Sequence, residues 1–317
     1  MLPAEDRDIW SMLVRIRTFE AEISAARRDG HVPGHVHPCT GQEAIAAGVG
    51  AALETGDIVT SAHRCHGHAL AMGCDPEAMM AEILGRATGL CGGRGGSVHL
   101  IDMAHGFLGG NGIVGANAPL ALGAALAARH RENGAIGVAF IGDGGSNQGA
   151  VFEAFNLAVA LSLPCLFVIE DNGIAQFTAS ARVTGAPDLA ARAAGFGMTA
   201  ERVDGRCVHS VRDAANRLIA GLRRGEGPAT LVARAPRFGG HYTGDIVSPP
   251  PAASNGDGDD CLNVCRARLL ETCGPAIATT LDELQDSAAQ EMQAALATAL
   301  AAPLPDPHSL ESHVHAA

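Results

Sequence analysis

The sequence is poor in several things, and each shortage excludes a class of protein. Its nine cysteines are odd in number, scattered, and form no CxxC pair, which excludes a disulfide framework and fits a reducing compartment. Positive charge is in deficit: 22 Lys and Arg stand against 34 Asp and Glu, for a net charge of −12. That balance argues against nucleic acid or an anionic membrane as the main partner. The most apolar stretch, 150–169, is broken by Glu153, Asn156 and Pro164, which rules against a membrane span. The N-terminus, MLPAEDRD, has no apolar h-region, so no signal peptide is expected. No internal repeat is present. The expectation is a soluble cytoplasmic protein.

What is present suits a folded enzyme. A chain of 317 residues with 47% hydrophobic content can bury a large core, and 40 glycines suggest tight turns or loops that approach a ligand. Helical spacing over 6–29 (Ile9, Leu13, Ile16, Phe19, Ile23) stops at Gly30. A Gly/Pro/His loop and a small-residue helix, 42–53, follow. Residues 58–60 read as a strand running into SAHRCHGH. Asp75 and Pro76 open a further helix. GLCGGRGGSVHLID is too glycine-rich for regular structure, and 118–130 is helical again. After the central unit come a loop, a short helix at 188–194, a strand at 198–203, a helix at 209–224 and an apolar strand at 230–235 ending in PRFGGHYTGD. The simplest description is one α/β domain, 1–245, a Pro/Ser/Gly/Asp-rich linker, 246–260, and a helical C-terminal extension, 261–317.

The organising stretch is 136–173, IGVAFIGDGGSNQGAVFEAFNLAVALSLPCLFVIEDNG. Two short apolar runs without polar alternation flank a helix, as expected for parallel strands covered on both faces. A right-handed crossover of this length brings Asp143 and Asn172 to the same carboxyl edge of neighbouring strands, where open α/β sheets hold ligands. A carboxylate and an amide oxygen suit Mg²⁺. Gly142, Gly144 and Gly145 would let backbone N–H groups approach phosphate oxygens, with the positive end of a helix behind them. A magnesium diphosphate fits. The bland alternative is an ordinary strand-to-helix turn and an ordinary strand end.

IGDGGSNQG followed by EDN resembles the thiamine diphosphate motif. The neighbours QG, FEAFNLA and LPCLFVIEDN are similar specifically to the alpha subunit of the 2-oxo acid dehydrogenase E1 component, which includes the pyruvate, branched-chain and acetoin dehydrogenases. The similarity runs over most of residues 8–245. It implies a thiamine diphosphate-binding fold, mostly parallel with helices on both faces. It also implies Mg²⁺ held by Asp143, Asn172 and the backbone carbonyl of Ile174, which stands where the family commonly has Tyr.

The remaining motifs take their meaning beside that resemblance. His31, His35, His37, His63, His66 and His68 crowd two short loops and could suggest zinc, but no HExxH is present. The resemblance instead places His37, His63 and Arg64 beside the cofactor, with Arg64 on diphosphate. His63 replaces the family's usual Tyr. GGNGIVG (109–115) contains GxGxxG, yet a dinucleotide fold needs a strand directly before it, and AHGFL is a poor strand. In the family this segment meets the aminopyrimidine ring through the carbonyl of Gly112 and the N–H of Val114. Arg237 matches a second phosphate-binding Arg. His241 matches a proton-handling His, a task suited to imidazole, although a solvated His is the plain alternative. Tyr242 stands where mammalian members carry a regulatory Ser. His99, in GGSVH, is a second candidate for proton handling.

The resemblance also implies that the Glu that activates the cofactor comes from a beta-type subunit, since this length leaves no room for a pyrimidine-binding domain. The expected assembly is an α₂β₂ heterotetramer cleaving acetoin or a 2-oxo acid such as pyruvate and passing the fragment to a lipoyl E2 component. GGRGGSVHLID and GHYTGD favour acetoin. Two alternatives remain: a transketolase-like split subunit acting on sugar phosphates, and a cofactor-binding subunit without catalysis in a specialised complex.

Overall fold

A computed structural model describes residues 1–245, 260–309 and 311–312. All but Asp260 of the expected linker, 246–260, lies outside the described residues.

Six strands form one parallel sheet: β1 (Ile58–Thr60), β2 (Phe107–Gly109), β3 (Gly137–Gly142), β4 (Cys165–Asp171), β7 (Thr199–Asp204) and β8 (Ala229–Arg234), in the order β2-β1-β3-β4-β8-β7. A two-stranded antiparallel hairpin, β5 (Ile174–Ala175) and β6 (Thr178–Ala179), lies apart from it. The expected α/β fold with a parallel sheet is what forms. The cause is visible in alternate side chains. Val138, Phe140, Leu166 and Val168 enter one core, while Ala139, Ile141, Phe167 and Ile169 enter the other. Both faces of the central strands are covered, so these runs carry no polar alternation.

The two cores differ in depth. On one face lie α2 (Glu43–Gly50), α3 (His66–Ala71) and α8 (Val208–Arg223), backed by α1 (Ala4–Arg28), α4 (Pro76–Ile83), α9 (Cys261–Cys273) and α10 (Ala278–Ala301). On the other lie α5 (Asn117–Arg131), α6 (Gly149–Ala160) and α7 (Leu189–Ala194). The C-terminal helices pack on α1: the Trp10 indole donates to the Leu281 carbonyl, 3.0 Å, and Arg17 makes two 2.9 Å hydrogen bonds to Asp260, which caps α9.

Two local readings differ from the structure. HGHALA forms α3 rather than continuing the loop. Phe107–Gly109 is a strand, β2, despite its weak β pattern. Its backbone pairing with β1 and the full burial of Phe107 fix it at the sheet edge, where tertiary pairing overrides propensity. GGNGIVG therefore does follow a strand and does lead into α5, so that ground for setting aside a dinucleotide site is corrected. No helix of the described residues is long and apolar enough to cross a membrane.

Candidate active site

The chain leaves β1 for β2 in one direction and β3 for β4 in the other, so the strand order reverses between β1 and β3. Open parallel sheets bind ligands at such a switch point, outside the carboxyl ends of the strands. A cleft of about 490 Å³ occupies that place. The end of β1 delivers His63 and Arg64, β3 delivers Asp143, Gly144 and Gly145, β4 delivers Glu170 and Asn172, and the segment after β8 delivers Arg237 and His241.

Asp143 and Asn172 follow the paired ends of β3 and β4, where Gly142 stands opposite Glu170 and the Asp143 N–H donates to the Glu170 carbonyl, 3.1 Å. The Asp143 side chain is buried, and burial pushes its carboxyl up against the opposing pull of a hydrogen bond from Ser180. The turn behind it is fastened from a distance. Ser146 Oγ donates to the Asp143 carbonyl, 2.6 Å, while Arg192 on α7 donates to Ser146 Oγ, 2.5 Å, and Asn147 Oδ1, 2.6 Å. Asn172 Oδ1 accepts from the Ile174 N–H, 3.1 Å, which folds the strand end back toward the hairpin. The glycine at 144 has a different reason from the expected one. A Cβ there would meet the Ala175 Cβ at 2.4 Å, so Gly144 admits the hairpin, whereas Gly142 faces open space.

Two guanidinium groups line the same cleft. Arg64 donates to the Pro38 carbonyl, 2.8 Å, the His241 carbonyl, 2.8 Å, and His241 Nδ1, 3.1 Å. Burial and the neighbouring Arg237 charge push Arg64 down to about 9. Arg237 is 1% exposed; it donates to the Gly240 carbonyl, and its Nη2 is buried without a partner. A buried guanidinium nitrogen with nothing to bond is costly unless an anion completes it. The chain contains no lysine, so these arginines and backbone N–H groups must carry any anion recognition here.

Three imidazoles close the cleft. His37, His63 and His241 lie with ring centroids 4.8, 5.0 and 5.4 Å apart. Burial first, and the Arg64 charge second, push His37 down to about 3, His63 to about 2 and His241 to about 4. They are neutral at physiological pH. His37 Nδ1 and His63 Nε2 are buried without partners, which leaves two ring nitrogens available to a ligand. The His35 and Tyr242 rings lie beside them, tilted at 53° with centroids 4.5 Å apart.

Of the residues singled out from sequence, His37, His63, Arg64, Gly112, Val114, Asp143, Gly144, Gly145, Asn172, Ile174, Arg237 and His241 all line this cleft. His99 does not. It is exposed, and its ring stands 3.7 Å from where a Cβ on Gly112 would be. Sequence reasoning missed Gln42, Asn117, Gln148 and Glu170 in the lining, and Ser180 on Asp143. Glu170 had a signal, its place in EDN; Ser180, 37 positions from Asp143, had none. Two of the crowded histidines serve the core: His66 pairs with Glu20 at 3.0 Å and His68 with Glu170 at 3.3 Å. Among the described residues no three His, Cys, Asp or Glu side chains converge on a metal position. The Asp143, Asn172 and Ile174 set supplies only one acidic side chain and is a different kind of site.

Comparison with known proteins gives the family. The family model for the dehydrogenase E1 component matches residues 11–308. The chain is 40% identical over 310 residues to the alpha subunit of acetoin:2,6-dichlorophenolindophenol oxidoreductase of Cupriavidus necator, covering 97% of this chain and 93% of that protein. The Bacillus subtilis protein of the same name is 43% identical over 243 residues, 76% of this chain and 73% of its own length. The pyruvate dehydrogenase E1 component subunit alpha of Zymomonas mobilis is 38% identical over 311 residues, 97% of this chain and 87% of that one. By the extent of these matches, the chain belongs to the dehydrogenase E1 component family, whose enzymes depend on thiamine diphosphate.

Proposed function

We propose that this chain is the alpha subunit of a thiamine diphosphate-dependent E1 dehydrogenase, acting on acetoin in preference to a 2-oxo acid such as pyruvate. The observation that carries the reading is the unfilled charge pattern of the cleft. Arg64 and Arg237, whose Nη2 is buried without a partner, line the same cleft as Asp143 and Asn172. The donor set fits Mg²⁺ and a diphosphate: hard oxygens for the metal and planar cations for the phosphates. Asp143, Asn172 and the Ile174 carbonyl would hold the metal, Arg64 and Arg237 the diphosphate, and the Gly112 carbonyl and Val114 N–H the aminopyrimidine.

When bound, thiamine diphosphate supplies the electron sink for carbon–carbon cleavage. The chain's own residues do the rest. Their lowered proton affinity keeps His37, His63 and His241 neutral, so these rings can hydrogen-bond substrate or cofactor without adding positive charge. Arg64 donates to both Nδ1 and the carbonyl of His241, so the neutral ring carries its proton on Nε2, which can donate a hydrogen bond to a substrate oxygen.

Cofactor activation also calls for a carboxylic acid. Among the described residues, the carboxylates in the lining are Asp143, assigned to the metal, and Glu170, which pairs with His68. A beta-type subunit is therefore proposed to supply it, in an α₂β₂ assembly that passes its product to a lipoyl E2 component. The test is turnover of acetoin and pyruvate by the purified chain with and without that partner. Thiamine diphosphate-dependent turnover only in the mixture, faster with acetoin, is expected. Full activity of the chain alone would contradict the shared site, and turnover of sugar phosphates instead would favour a transketolase-like reading.

A further inference from the structure

Glu170 is the one charged group of the cleft to which the proposed chemistry gives no task. Its side chain is 8% exposed, and it lines the cleft two residues before Asn172. It is also held still. His68 Nε2 lies 3.3 Å from Glu170 Oε1, and Ser61 Oγ lies 2.8 Å from His68 Nδ1. The His68 ring is in turn stacked on Phe140, 3.7 Å between centroids at 21°. Glu170, His68 and Ser61 are all buried, so a chain of packed groups holds this carboxylate in the cleft wall, where its charge supports that of Arg64.

The consequence is electrostatic. Among the described residues, the charged ones that line the cleft are Arg64, Arg237, Asp143 and Glu170, two cations against two carboxylates, while the three imidazoles are neutral. A diphosphate entering alone brings several negative charges to a site with no net positive charge, in a buried setting where charge is weakly screened. A divalent cation entering with it restores the balance.

We infer that Glu170, clamped by His68, makes diphosphate capture conditional on a divalent cation, so that the metal complex of the cofactor is taken up and the free anion is refused. This inference rests on the proposed cofactor site and adds a selectivity device to it. It assigns Glu170 a positioning and selecting role, with no bond made or broken.

The test is a calorimetric titration of thiamine diphosphate into the chain assembled with its partner subunit, once with Mg²⁺ and once with a chelator. In the native protein a wide gap between the two affinities is expected. E170Q keeps an oxygen for His68 and removes the charge, and should narrow that gap by about tenfold, chiefly through tighter metal-free binding. E170D keeps the charge and should leave the gap within about threefold of native; this second variant separates loss of charge from loss of fold. A gap unchanged in E170Q, or narrowed equally in E170D, would overturn the inference while leaving the cofactor site standing. Native protein that binds no thiamine diphosphate under either condition would overturn the site and the inference together.

Discussion

Two sets of histidines, one buried and one half-buried, lie within one small region and have opposite surroundings. His66 and His68, on α3, each meet a carboxylate, Glu20 at 3.0 Å and Glu170 at 3.3 Å, and their second nitrogens meet Ser97 and Ser61. His37, His63 and His241 meet guanidinium groups and one another, and two of their nitrogens have no partner. The first set is complete without a ligand; the second is not. Buried polar groups are normally satisfied, so the incomplete set marks where something else belongs. Residue type alone does not separate the two. HRCHGH contributes to both within six positions: His63, just before α3, lines the cleft, while His66 and His68 on α3 serve the core.

Breaking the complete set should cost folding. Glu20→Ala removes the partner of His66 and of the Cys39 N–H, 2.9 Å away, and should lower unfolding free energy by about 3–5 kcal/mol, read from a urea titration. A loss below 1 kcal/mol would mean that the buried pair contributes little. Breaking the incomplete set should cost binding. Arg237→Met removes a buried, half-satisfied cation, and thiamine diphosphate affinity should fall by roughly 100-fold, the worth of a charged hydrogen-bond pair. The midpoint of thermal unfolding should stay level or rise, because an unpaired charge leaves the interior. A joint fall in affinity and melting temperature would place Arg237 with the structural set.

Acid should separate the two sets again. The cleft imidazoles have folded values of about 3, 2 and 4 against 6.5 for an unperturbed ring. Below pH 6.5 the unfolded chain binds protons that these folded rings refuse, so their contribution to stability is present above pH 6.5 and is lost as pH falls toward 4. Melting temperature of the cofactor-free chain should drop by several degrees over that range. Diphosphate in the cleft would offset Arg64 and Arg237 and should shrink the drop. An equal drop with and without cofactor would detach the imidazoles from the site. The smallest effect is expected at His99, which is exposed and outside the cleft wall: His99→Ala should change turnover by no more than about twofold. A loss of 100-fold would bring it back as a proton carrier.

The contrast also explains what the sequence could reveal. The parallel sheet was legible because β3, β4 and β8 are apolar on both faces, and the switch-point site followed from the position of Asp143 and Asn172 at the ends of adjacent strands. β2 was not legible, because three residues at a sheet edge are placed by pairing with β1 rather than by their own pattern. Nor was the reason for Gly144, which depends on Ala175 in a hairpin thirty-one positions later. Ser180 and Arg192 reach the Asp143 turn from separate loops and helices, a convergence no local spacing encodes. Motifs named the residues proposed to touch a ligand; the groups that hold those residues came only from the fold.

The central claim is that Asp143 and Asn172 share one divalent cation at the rim of the sheet and through it hold a diphosphate. Titration of thiamine diphosphate with Mg²⁺ into native protein and into Asp143→Asn tests it most directly. Tight, metal-dependent binding in the native protein and a loss of about 100-fold or more in the variant, with its fold intact, is the predicted result. Equal affinity in both proteins would contradict it.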